Sequence, residues 1–349
     1  MKNTLTVCAA LLLTTSAAFA GGIDRSGQSI GALFEDGTYA ELSYGYVTPS
    51  VSGTVAGGLV SSGNIAPAYG AVGLAFKTDI TDDVSVALIV DQPFGAAVDY
   101  SETDAGYPVA GTSATVNSTA ITVVGQYNFN ENLSVHFGPR YLSANGDYTY
   151  VVGGVPQYGS VYESGNGSGY VAGVAYERKD IALRVALTYS SAIELELDGS
   201  VGDLNAKMPG SLNLDFQSGV AADTLVFGSV RWAGWSDAYI TDTLAGNLVS
   251  YDEDTLSYTL GVGRKFSETL SGALSLGYEA AQGGAASNLA PTDGNFSIGL
   301  GATYNMGNGI ELTGGVRYVM AGDATTELLG ADFSDNSAIA VGLKVAYTF

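Results

Sequence analysis

The sequence predicts an all-β fold: a transmembrane antiparallel β-barrel of about 14 strands, preceded by a short N-terminal plug segment. Three observations carry this. Hydrophobic residues make up 46% of the 349 and charged residues only 14%. Yet beyond residue 20 no run approaches the roughly eighteen apolar residues of a membrane helix. The apolar residues instead alternate with small or polar ones, as in the closing "SAIAVGLKVAYTF", where Ile339, Val341, Leu343, Val345, Tyr347 and Phe349 share one face. Period two over a dozen residues is a strand with two unlike faces. Finally, the connections between such segments are short and long in turn, which is the habit of barrels with tight periplasmic turns and longer outer loops.

The elements follow in order. Residues 1–20 read as a signal peptide, with Lys2, the apolar "LTVCAALLLTTSAAF" and a small-x-small site at Ala18-Phe19-Ala20. Cys8, the only cysteine, falls inside it, so the exported chain is expected to use neither disulfides nor cysteine metal sites. Residues 21–37 are polar and Gly-rich and are expected to form the plug, with Asp24, Arg25, Glu35 and Asp36 able to meet charges on the barrel wall. The barrel is expected over 38–349 as one domain. Its strands are placed near 38–48, 69–77, 84–92, 114–128, 133–148, 168–177 and 181–194, then 210–220, 225–235, 255–265, 270–280, 295–305, 310–320 and 338–349. An even count puts both termini in the periplasm. Segments 93–113, 149–167 and 236–254 are expected as outer loops, with turns near Asp82, Asn130 and Asp180 on the periplasmic side.

A one-residue shift would reverse every face, so facing can be read strand by strand. Leu133, Val135, Phe137 and Tyr141 oppose His136 and Arg140. Ile181, Leu183, Val185, Leu187 and Tyr189 oppose Arg184, and Ile310, Leu312, Val316 and Tyr318 oppose Arg317. The apolar faces end in aromatics, as an interfacial girdle requires. Five cations thus face inward: Arg140, Arg184, Arg231, Arg317 and Lys344. Two readings of them stand open. They hold a ligand's carboxylate, or they pair with Glu41, Asp215, Glu279 and Glu311 to steady the barrel, since buried charge must be paired. Trp232 and Trp235 are read as girdle or loop-base aromatics.

The formal charge of −22 argues against nucleic-acid partners. With one histidine and neither G-x-S-x-G nor H-E-x-x-H, no enzyme and no cofactor is expected. Acidic stretches such as "YDEDT" and "DFSDNS" lack EF-hand spacing and are read as solvated outer loops beside lipopolysaccharide.

Several patches resemble the FadL family of outer-membrane transporters for long-chain fatty acids and other hydrophobic compounds (OMPP1/FadL/TodX type). They are "SGQSIGALFEDGTYAELSYGYVTPSVSG", "VDQPFGAAVDY", "LTYSSAIELELDG" with "MPGSLNLDFQSGVAADTLVFGSVRWAGWSD", and "PTDGNFSIGLGATYNMGNGIELTGGVRYV" with the closing strand. The resemblance implies a fourteen-stranded barrel in the cell outer membrane that passes hydrophobic or amphipathic small molecules through a plugged lumen. It implies membrane lipid and the barrel-assembly machinery as partners, the latter reading the terminal Phe349. In the family a kink in the third strand opens the wall sideways. Pro93 follows that strand here and cannot donate a ladder hydrogen bond, so it marks either that gap or an ordinary strand-to-loop exit. The family's Asn-Pro-Ala is absent and the plug is short, so either the plug is abbreviated or an outer loop does its work. The alternative is a general porin or an adhesive or structural outer-membrane barrel.

Overall fold

The structure, a computed structural model, describes residues 23–283 and 285–349. The signal-peptide expectation lies outside these residues, as do positions 21 and 22 of the expected plug.

Alternating sequence gives fourteen long antiparallel spans. They are β1 (Tyr39–Ser50), β2 (Tyr69–Asp79), β3 (Val84–Asp91), β4 (Ser113–Asn128), β5 (Leu133–Val152), β6 (Val155–Arg178) and β7 (Leu183–Ser190). They continue as β8 (Ser211–Ala221), β9 (Thr224–Ala233), β10 (Thr255–Lys265), β11 (Leu270–Glu279), β12 (Asn295–Gly307), β13 (Ile310–Ala321) and β14 (Ser337–Thr348). Each pairs with its neighbours in sequence, and β1 closes on β14 with Tyr39 opposite Thr348. Closure leaves no free edge strand, so apart from residues 69–73 of β2 the backbone's hydrogen-bonding groups are met within the wall, as lipid demands. Side chains alternate as expected. Phe137 is 63% exposed on the lipid side, while His136 at 2% and Arg140 at 5% point inward.

The expected loop 149–167 is not a loop. β5 and β6 run on as a 20- and a 24-residue strand that meet at Gly153-Gly154. Both glycines have positive φ (57° and 78°), which a two-residue primed hairpin turn requires. At about 3.4 Å per residue, this hairpin stands well clear of the ~25 Å apolar band. Conversely, β7 is shorter than expected. After Ser190 the chain leaves the barrel, and Ile193–Leu197 joins a separate four-stranded sheet with Leu204–Met208, Tyr239–Asp242 and Gly246–Ser250. That sheet buries Ile193, Leu195, Leu204, Met208 and Ile240 against the lumen-facing Ala120 and Leu142 of the wall. It caps the outer mouth. Trp235 belongs to this core rather than to a girdle: it is 2% exposed and meets Phe94 edge-on at 6.2 Å and Tyr251 at 4.9 Å. Trp232 is on the lipid side, 37% exposed.

Candidate functional site

The wall is interrupted at one place, and residue chemistry explains it. β3 stops at Asp91 and its strand resumes at Gly95–Asp99, still paired to β4. Asp91 lies opposite Ala120 and Gly95 opposite Asn117, so four steps along β3 face three along β4. This is a bulge of one residue, which bends its strand. Pro93 sits in it, where its missing N–H costs no ladder bond. On the other side, β2 pairs with β3 only from Leu74 to Asp79. Residues 69–73 of β2 keep their partners on β1 but have no ladder towards β3. The Gln92 side chain stands in for the missing strand, its Oε1 accepting the Val72 N–H at 2.9 Å. A cavity of about 80 Å³ fills the breach. Its lining includes the lumen-side Ser26, Asp91 and Lys344 and three residues whose side chains face outward, Tyr44, Val72 and Leu343.

The N-terminal segment lies against the inside of this kink. Arg25 N–H donates to Pro93 O at 2.7 Å, and Gly95 N–H donates to Ile23 O at 2.8 Å. Ser26 Oγ donates to Asp91 Oδ2 at 2.6 Å. Across the lumen, Asp24 pairs with Arg231 of β9 at 3.1 Å, Gly27 O accepts from Asn213 at 2.8 Å, and Gln28 accepts from Arg140. Further down, a single 3-10 turn at Gly31–Phe34 buries Ile30, Ala32 and Leu33 against Ala75, Ala87, Val124 and Val171 of the wall. Below it Lys77 Nζ donates to Gly37 O at 2.9 Å.

This segment lies between two spaces. One, of about 160 Å³, is open towards the outer loops and lined by Ile23, Val51, Ile65, Tyr69, Ala96 and Val98, with Arg25 at its base and Asp252, Glu253 and Asp293 around it. The other, of about 240 Å³, is bounded by the charged side chains of Arg184, Asp215, Arg231, Glu279 and Arg317.

The five inward cations are therefore not one cluster. Arg184, Arg231 and Arg317 line the second chamber, and Lys344 lines the breach. Lys344 pairs with Glu41 at 3.1 Å. Arg184 lies over the Phe34 ring at 4.7 Å and donates to Gln217 at 3.3 Å. Arg140 donates to Thr122 at 2.9 Å and Ser190 at 3.2 Å as well as to Gln28. Arg25 and Gln92, which sequence reasoning did not single out as site residues, stand at the breach. The only sequence signal for them was their place in or beside the "QPFG" and plug stretches. Among the described residues no cluster of His, Cys, Asp and Glu is arranged to hold a metal ion.

A closed, capped and internally corked barrel with lipid-facing strands defines an outer-membrane transport barrel. Residues 34–349 match the family described as outer membrane protein transport protein (OMPP1/FadL/TodX), and the chain belongs to that family. Its fold is shared by a Pseudomonas aeruginosa FadL homologue (13% identity, 96% of each chain, TM-score 0.73). It is also shared by the P. putida toluene transporter TodX (14%, 91% of each, 0.68) and the Ralstonia pickettii toluene transporter TbuX (13%, 91% of each, 0.63). No curated protein sequence matches the chain. The expected class, an outer-membrane barrel of a family that transports hydrophobic compounds, agrees with this membership.

Proposed function

We propose that the protein takes small, uncharged hydrophobic molecules into the outer chamber and releases them sideways into the membrane through the breach beside Pro93. The observation that carries this is the pairing of an axial cork with a lateral gap. Ile30 and Leu33 pack inside the lumen against Ala75, Ala87, Val124 and Val171 of the wall, while the cavity at the β2–β3 gap is lined in part by the outward-facing Tyr44, Val72 and Leu343. Pro93 acts as the gap's edge. An apolar molecule leaving by that side never meets bulk water, so its hydrophobic transfer free energy favours the route.

The chamber's size supports a ligand of single-ring dimensions. Its volume is about 160 Å³, and an apolar cavity of ~150 Å³ accepts benzene. That TodX and TbuX are toluene transporters points the same way. The acidic surround disfavours an anionic head. The inward cations Arg140, Arg184, Arg231 and Lys344 already have partners, which favours their bracing wall and plug over clamping a fatty acid. The lipopolysaccharide leaflet and the barrel-assembly machinery, acting on the closing strand, complete the partners we propose.

The test is direct binding by the purified protein. Toluene is expected to bind, and Arg184→Gln and Arg317→Gln, which alter the other chamber, are expected to change its affinity less than about threefold, within the range of indirect effects. Tight oleate binding that either substitution abolishes would restore the carboxylate-clamp reading.

A further inference from the structure

We infer that Arg25 reads an oxygen acceptor on the ligand, so that the outer chamber prefers an uncharged, oxygen-bearing aromatic molecule to the bare hydrocarbon of the same shape. This rests on the chamber reading above and adds to it a chemical preference. Arg25 borders both the outer chamber and the breach, so a molecule passing from one to the other meets its guanidinium. The side chain is only 6% exposed.

Its position is built rather than incidental. The guanidinium lies over the Tyr69 ring at 4.2 Å. On its other side is Gly95, where a Cβ would stand 2.5 Å from Nε and Cζ. Its backbone is tied to Pro93 O. Nη1 donates to Asn117 Oδ1 at 3.2 Å and Nε is sealed between the ring and Gly95, whereas Nη2 is not sealed and has no acceptor among the described residues. Among the described residues no carboxylate lies within ion-pair distance of it.

An apolar ligand that displaces water from Nη2 leaves that donor without an acceptor, which is costly, and a ligand that supplies one recovers the loss. Sites with such a group reject the analogue lacking the acceptor far more strongly than they reject a change of one methylene. A carboxylate would satisfy Arg25 too, but it would have to lie among Asp252, Glu253 and Asp293. The acceptor is therefore a neutral one, such as an aryl ketone or a phenol.

Acetophenone and ethylbenzene are near-isosteres that differ in this acceptor, and benzoate adds the charge. Calorimetric titration of the purified full barrel with all three is expected to give acetophenone about tenfold tighter than ethylbenzene, with benzoate weaker than acetophenone. Arg25→Met keeps the stem and removes the donors. It should abolish the acetophenone preference while leaving ethylbenzene unchanged or tighter, and Arg25→Lys should retain part of it. Gly95→Ala, which displaces the guanidinium without removing it, gives a second variant that should lose the preference. Heat-modified gel mobility reports that each barrel is folded. If both neutral ligands bind and their ratio is the same in wild type, Arg25→Met and Gly95→Ala, the role of Arg25 is overturned and the chamber reading stands. If no ligand binds the wild type, the chamber reading falls, and this inference with it. Benzoate binding tightest, with its advantage lost in Arg25→Met, would overturn the neutral-acceptor assignment.

Discussion

Asp24 and Arg231 form the link between the N-terminal segment and the far wall. Their side chains are only 19% and 11% exposed, and Arg231 also donates to Ser211 and Asn213 at 2.9 Å. Loss of one partner leaves the other's charge poorly solvated, so Asp24→Asn and Arg231→Gln should each destabilise the segment. A double-mutant cycle on thermal unfolding is expected to show a coupling of about 1–2 kcal/mol. Additive losses would mean that the pair does not tether the plug. The inward facing of Arg231 was legible in the sequence, because period two fixes sides. Its partner was not. Asp24 is 207 residues away, and no local rule places a plug residue against one wall strand rather than another. The same holds for Arg25, whose proximity to Tyr69 and Gly95 depends on the path of the whole segment. Pro93 was legible as a break because proline cannot donate, but only the unequal register against β4 turns that break into a gap.

At the scale of elements, the cap sheet hangs on one carboxylate. Asp242, 1% exposed, accepts from Tyr158 at 2.6 Å and Tyr162 at 2.7 Å, both on the protruding part of β6. It also accepts the Leu244 and Ala245 N–H groups at 2.7 Å. Burial alone would raise its pKa, but the bonds from Tyr158, Ala245, Tyr162 and Leu244 outweigh burial and hold it below the ordinary aspartate value. A lowered folded value means that this contribution is complete above the unfolded pKa of about 3.9 and is lost as pH falls through the folded one. The protection factors for hydrogen exchange across 236–250, each taken against the unstructured chain at the same pH, should therefore be high at pH 7 and fall below about pH 4. Asp242→Asn should accelerate it at pH 7, at a cost of roughly 1–3 kcal/mol, with the barrel's own unfolding unchanged. Protection unaffected by both would remove Asp242 from the account. This sheet and the protruding hairpin were the least legible parts of the fold. In β6 the segment "ESGNGSG" has glycine at every second place and reads as loop, yet it pairs because β5 is already extended beside it. The spans inside the membrane were legible almost to the residue, since lipid on one side and a lumen on the other impose alternation on each.

At the scale of the molecule, the proposed function makes the barrel a corked cylinder with a side opening. Removing residues 23–34 takes out the cork and the lining of the breach together, and a planar bilayer should then show steady ion conductance where the intact protein shows little. An intact protein that already conducts like a porin would contradict the cork. The breach itself is the central claim, and the deletion of one residue can close it. Deleting Pro93 removes the one extra residue between Asp91 and Gly95, restores one-to-one pairing with β4, and brings the upper part of β3 back beside residues 69–73 of β2. The most direct measurement is uptake of radiolabelled toluene by cells that depend on this protein, comparing wild type with the deletion at equal amounts of folded barrel. Uptake is expected to fall to the level of cells lacking the protein. Uptake that persists at the wild-type rate would show that the substrate leaves by some way other than the wall.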